Sequence, residues 1–116
     1  MVGVGSHGQL QGLGYHWELW MLASGGMPNH DVLRAATIFG ANGIGLEKQL
    51  GSIEPGKLAD LVILSRSPLD DTRNSTSVEQ VMVNGRLHDA ATLEETWPRR
   101  RALPYRGFVE DEPESR

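Results

Sequence analysis

The sequence predicts an α+β fold, helices first and short strands after them. Three observations carry that reading. Val32, Ala35, Ala36 and Phe39 recur at the i, i+3, i+4, i+7 spacing of a helix within residues 29–42. Residues 60–64 (DLVIL) form a compact β-branched run, the pattern of a strand buried on both faces. Asn84-Gly85 separates 78–83 from 86–88, and Asn-Gly is a strong hairpin signal because both positions accept φ > 0.

Five of the glycines fall within the first 14 residues, so residues 1–14 read as the end of a strand followed by a Gly-rich loop. Residues 15–24 (YHWELWMLAS) are apolar nearly all round, the mark of a short helix buried between neighbours. Gly25-Gly26 ends it. The helix over 29–42 has Asp31 in its first turn, where the dipole favours an anion, and Asn42-Gly43 as its left-handed stop. Residues 50–55 read as a short extended piece running into a Pro-Gly turn, and 65–77 as a polar loop. Residues 92–97 (TLEETW) read as one or two helical turns, with Thr92 capping and Glu95 at capping-box spacing. The stretch beyond Pro98 reads as a frayed tail. The inventory is thin for a self-sufficient core: the apolar helix and the two-sided strand both demand partners.

The chain has 116 residues, room for one domain. No apolar run approaches the roughly 20 residues of a membrane span, and no basic start with an apolar h-region suggests a secretory signal. The absence of Cys excludes disulfides, Cys-ligated zinc, iron–sulfur clusters and a thiol nucleophile. A formal net charge of -4 argues against nucleic acid as the main partner.

Residues 51–64 read G-S-I-E-P-G-K-L-A-D-L-V-I-L and residues 78–86 read V-E-Q-V-M-V-N-G-R. This pair resembles the C-terminal signature of the amidohydrolase superfamily. M-P-N-H-D-V-L-R-A-A-T (27–37) with Gly45-Leu46 resembles the last barrel helices of that superfamily. G-S-H-G-Q-L-Q-G-L-G-Y-H-W-E-L-W (5–20) resembles its imidazolonepropionase-like and prolidase-like branch. The resemblance covers residues 2–97 and is specific in order and spacing.

The resemblance implies the C-terminal end of a (β/α)8 barrel, followed by part of a small β-sandwich assembled from both ends of a longer chain. Residues 1–48 would hold the last barrel strand, the Gly-rich loop and the terminal barrel helices. Residues 49–90 would be the C-terminal half of the composite sandwich, and 91–116 a short helix and flexible tail. The family also implies a divalent metal, zinc being the expected ion, for a full-length parent. Its His-x-His, bridging Lys or Glu, and two later His ligands have no counterpart here. The four histidines, His7, His16, His30 and His88, include no pair two apart. No complete metal site is therefore expected in this chain, and no cofactor bound by it alone. In the slot of the family's last-strand Asp, which binds metal and takes a proton from water, stands His7.

Each candidate has a plainer reading beside it. His7 ligates a metal, binds substrate, or is a hydrogen-bonded loop residue. His16 and Glu18 edge a substrate-binding mouth, or are a polar pair at a helix start. Gly3-x-Gly5-x-x-Gly8 matches a dinucleotide fingerprint by letters only, without the preceding strand or the distant acidic residue. His30 and His88 read as surface residues, and Arg99–Arg101 as a solvated charge run. Asp60 reads as accepting hydrogen bonds that fix the turn into DLVIL.

Two functions follow. The first is a C-terminal portion of a metal-dependent hydrolase of C–N bonds (amide, cyclic amide or dipeptide), inactive in isolation. The second is a non-catalytic module that buries its exposed surfaces by self-association. The expected partners are a second copy or the missing N-terminal portion of the barrel, with no nucleic acid and no membrane. Composition leaves the compartment open between cytoplasm and periplasm.

Overall fold

The computed structural model describes residues 2–5 and 12–102. The apolar run near the N-terminus is helical over Leu13–Ser24, which we label α1. It ends at Gly26, whose φ of 100° lets the Met27 amide turn back to the Leu22 carbonyl at 3.2 Å. The helix expected over 29–42 is two helices, α2 (Asn29–Ala35) and α3 (Ile38–Gly43). The break falls at Ala36-Thr37. The Thr37 hydroxyl donates to the Leu33 carbonyl at 2.7 Å, while the Thr37 carbonyl accepts the Ala41 amide and starts the next helix. Asn42 and Gly43 lie inside α3, so the expected stop is displaced. Gly45, at φ 77°, reverses the chain, and the Leu46 amide closes onto the Ala41 carbonyl at 2.9 Å.

Residues 50–55 form turns instead of an extended piece. Their geometry explains the letters of the motif. Lys57 spends its three ammonium protons on the Glu47 carbonyl, the Ser52 hydroxyl (2.6 Å) and the Glu54 carboxylate (2.8 Å). Ser52 in turn donates to Glu54. Gly51 takes φ 95° and lies directly against α3.

Four strands follow: β1 (Leu61–Leu64), β2 (Val78–Val83), β3 (Arg86–Asp89) and β4 (Glu95–Trp97). They form one antiparallel sheet in sequence order. Asn84 and Gly85 turn the hairpin with φ 49° and 78°, as Asn-Gly predicts. Asp60 accepts the Asn84 amide at 2.7 Å and so ties the start of β1 to that turn. The polar loop contains a 3-10 helix, Thr72–Thr76, opened by the Asp71 carboxylate accepting the Arg73 amide.

The helical turns expected at 92–97 are instead a turn and strand β4. Asp89 is the reason: its carboxylate accepts the amides of Ala91 (2.9 Å) and Thr92 (3.0 Å), turning the chain so that 95–97 pairs with β3. Those amides, Thr92 first, hold the Asp89 carboxyl below its ordinary pKa. A carboxylate lowered on folding stabilises the fold above its unfolded value, about 3.9, and loses that contribution as pH falls through the lower folded value. The melting temperature is therefore expected to decline from near pH 4 downward. Asp89→Asn should flatten that acid limb, and an unchanged limb would refute the assignment.

Among the described residues the fully buried apolar side chains are Leu19, Val32, Ala35 and Ala41, all helical. The sheet contributes none. Val62 in β1 is 59% exposed and Val83 in β2 is 55% exposed, so the two-sided burial expected of DLVIL is not supplied by the described residues. On α1, Met21 is 71% exposed. The last barrel strand is expected over residues 2–6; residues 2–5 have no regular secondary structure, and residue 6 and the tail from 103 onward lie outside the described residues.

Candidate functional site

The sequence places His16 and Glu18 side by side, but two residues along a helix is about 200° of rotation. The two side chains accordingly go to different neighbours. Glu18 reaches the N-terminal segment, where its carboxylate accepts the Gly5 amide at 3.3 Å. His16 turns toward the 3-10 helix, with Nδ1 2.8 Å from the Ser75 hydroxyl. His7 lies outside the described residues.

Around His16 the helix and the polar loop are stapled together. The Trp20 indole N–H points between the Thr72 carbonyl (3.0 Å) and the Ser75 hydroxyl (3.3 Å). A half-buried indole needs such an acceptor. With Trp20 donating to Ser75 Oγ, the hydroxyl proton is free for His16 Nδ1. The Arg73 guanidinium lies 5.7 Å from the Trp20 ring centre, and Tyr15 meets the imidazole edge-on at 6.2 Å. Burial raises the Tyr15 pKa, and its hydroxyl donates to the Ala36 carbonyl at 3.2 Å, fastening α1 to α2.

A Ser–His contact at 2.8 Å has the distance of a nucleophile and its base. Two observations decide against that role. Ser75 is only 7% exposed, and no carboxylate among the described residues hydrogen-bonds His16 to orient it. The pair is a structural seam. Sequence reasoning passed over Ser75 and Thr72 because they sit in a run of polar loop residues; the readable signal was Trp20, whose buried N–H requires a partner.

A shallow groove of about 410 Å³ lies elsewhere on the helices, away from the residues of the seam. Val2, Met27, Pro28, Ala35 and Phe39 line it, with Asp31 as its one charged wall. Asp31 already pairs with Arg34 at 3.9 Å, and Arg34 lies over the Phe39 ring at 4.4 Å. No three His, Asp or Glu side chains converge anywhere among the described residues. A metal therefore does not fit this chain's described residues by themselves.

These features define a class: a helical layer stapled by a half-buried polar seam to the 3-10 helix of the loop between β1 and β2 of a small antiparallel sheet, without a complete metal centre in the described residues. The model of the amidohydrolase family matches residues 10–88, and the chain belongs to that family. It is 36% identical over 73 residues to a 5-methylthioadenosine/S-adenosylhomocysteine deaminase of Moorella thermoacetica, covering 53% of this chain and 17% of the deaminase. It is 55% identical over 40 residues to an imidazolonepropionase of Symbiobacterium thermophilum, covering 34% of this chain and 9% of that protein. Among solved structures, a prolidase complexed with N-methylphosphonate-L-proline superposes with a TM-score of 0.65 at 32% identity, over 75% of this chain and 22% of the prolidase. The chain thus spans less than a quarter of the length of these relatives.

Proposed function

We propose that this chain is the C-terminal end of a metal-dependent amidohydrolase that hydrolyses a C–N bond in an amide, a cyclic amide or a dipeptide. In this reading residues 1–48 carry the last barrel strand, the Gly-rich loop and the terminal barrel helices. Residues 49–90 carry the C-terminal half of a composite sandwich, and 91–116 the closing segment. Family membership supports the hydrolase parent, and the deaminase, imidazolonepropionase and prolidase relatives support the bond class. The observation that carries the reading is the sheet, which has no fully buried apolar side chain among the described residues. A β-layer in that state lacks the element that covers it.

The described residues do not gather a metal, so no catalytic step is assigned to them. His7, His16 and Glu18 would stand near the end of the barrel in the parent, and the side chains that hold the zinc would come with the N-terminal portion. The test uses the 116-residue chain. After incubation with excess zinc and dialysis, mass spectrometry should find far less than one zinc per chain, and no Xaa-Pro dipeptide should be hydrolysed. One zinc retained per chain with turnover would overturn the reading. The second reading, a non-catalytic module, is favoured by the exposed Val62, Val83 and Met21. The nucleotide sequence upstream of Met1 separates the two: an in-frame His-x-His supports the hydrolase, and its absence supports the module.

A further inference from the structure

We propose that Asn84 is a self-modification site that the folded hairpin keeps closed. When the turn opens, the Asn84 side chain cyclises onto the Gly85 amide nitrogen and hydrolyses to isoaspartate and aspartate. This goes beyond the hydrolase reading and does not rest on it.

Asn-Gly is a reactive dipeptide for a steric reason. Glycine has no side chain to shield its amide nitrogen, and closing Asn onto that nitrogen makes a five-membered ring. The Gly85 nitrogen attacks Asn84 Cγ and forms an N–Cγ bond. The bond from Cγ to the side-chain nitrogen breaks, and the proton from Gly85 leaves with that nitrogen as ammonia. Water then opens the succinimide. Attack at the main-chain carbonyl breaks its bond to the Gly85 nitrogen and leaves isoaspartate, with the chain running through Cβ and Cγ. Attack at Cγ leaves aspartate. Water is the only co-reactant, and nothing is oxidised or reduced.

The folded turn opposes ring closure through its backbone. Asn84 at φ 49° and Gly85 at φ 78° have the angles of a type I′ turn, in which ψ of the first central residue is about +30°. At that angle Asn84 Cβ lies nearly trans to the Gly85 nitrogen about the Cα–C bond, whereas the ring needs the two nearly eclipsed. Closure therefore requires the Asn84–Gly85 peptide plane to rotate. Two hydrogen bonds to the start of β1 resist that rotation. The Gly85 amide donates to the Ala59 carbonyl at 3.0 Å, and the Asn84 amide donates to Asp60 Oδ1 at 2.7 Å. Asn84 is itself exposed, so geometry and not access to water protects it. Conversion would also damage the hairpin. The two-residue turn sets the Val83–Arg86 register, and isoaspartate adds a backbone carbon to it and a carboxylate beside Asp60.

The chain carries its own comparator. Asn42-Gly43 is the same dipeptide and Asn42 is exposed, but it ends the six-residue helix α3 and is not tied across a sheet. Helix ends fray at little cost, so protection there is weaker.

The test incubates the 116-residue chain at mildly alkaline pH, in buffer and in denaturing urea. Peptide mass spectrometry follows each site, with fragmentation that separates isoaspartate from aspartate. In urea Asn42 and Asn84 should convert at matching rates. In buffer Asn84 should slow at least about tenfold, and more than Asn42 does. Asp60→Ala should speed Asn84 about fivefold in buffer and leave Asn42 unchanged, a split that general loss of stability does not produce. If that variant fails to fold, the comparison of buffer with urea on the parent chain still decides. Asn84 converting as fast in buffer as in urea, or faster than Asn42 in buffer, would overturn the proposal. So would Asp60→Ala speeding both sites alike. None of these results depends on zinc content or dipeptide hydrolysis, so the hydrolase reading stands or falls separately.

Discussion

Replacing Gly51 with Ala is expected to destabilise the chain by about 3 kcal/mol, from backbone strain and overpacking together. Gly51 sits at φ 95°, a region that side-chain-bearing residues rarely adopt. A Cβ built there would lie 2.7 Å from Ala41 Cβ and 3.0 Å from Ile38 Cα. Ala41 is buried and both atoms belong to α3, so no flexible side-chain end can move aside. The control is Gly56→Ala. Gly56 has nearly the same backbone angle, φ 90°, but open space around the Cβ position. It should lose only the strain, about 1 kcal/mol. In a domain of this size the pair should separate by roughly 10 °C in melting temperature. Equal losses for the two variants would show that the contact with α3 has no energetic weight.

Lys57→Met should lower stability by about 2 kcal/mol, read as a drop in the urea midpoint with the slope unchanged. The substitution keeps most of the aliphatic stem and removes all three N–H donors. The Lys57 side chain is 12% exposed, so the Glu47 carbonyl and Ser52 hydroxyl are left without their donor in a poorly hydrated place. The Glu54 carboxylate is 60% exposed, and its share is small because solvent screens the pair. Glu54→Gln should therefore leave the midpoint nearly unchanged. Its carboxyl is nonetheless held below the ordinary value, first by the hydrogen bond from Lys57 and then by that from Ser52. Lys57→Arg should not rescue the loss, because a planar guanidinium cannot reproduce three divergent donors. A midpoint for Lys57→Met within error of the parent would refute this account of the motif.

The parts of the fold legible in the sequence are those decided within a few residues. The Asn84-Gly85 turn depends only on what φ each residue tolerates, and the end of α1 depends on Gly26. Family membership was legible for a related reason: the G-S-x-E-x-G-K turn spends each of its letters within one loop. The misreadings came from contacts the local pattern does not contain. The helical spacing over 29–42 is real, but Thr37 bonds back to Leu33 and divides it. Residues 92–97 have the letters of a capping box, but Asp89 captures the amides that would begin the helix, and pairing with β3 does the rest. The candidate site was harder still. His16 and Glu18 were visible as a polar pair, yet their separation around the helix sends them to different partners. The groups that receive His16 and Trp20 lie more than 50 positions away, beyond the reach of any spacing rule.

That distance has a consequence for the order in which the molecule is made. His16 waits for Ser75, 59 residues later, and Trp20 for Thr72, 52 residues later. A 12-residue helix is marginal in water without a partner. A two-residue hairpin closes in microseconds, whereas long-range pairings come late because the chain between them must first be ordered. During synthesis α1 leaves the ribosome before the 3-10 helix and cannot dock on it until that segment has emerged. The indole of Trp20 therefore reports a late event of assembly, although its helix is translated well before its partner.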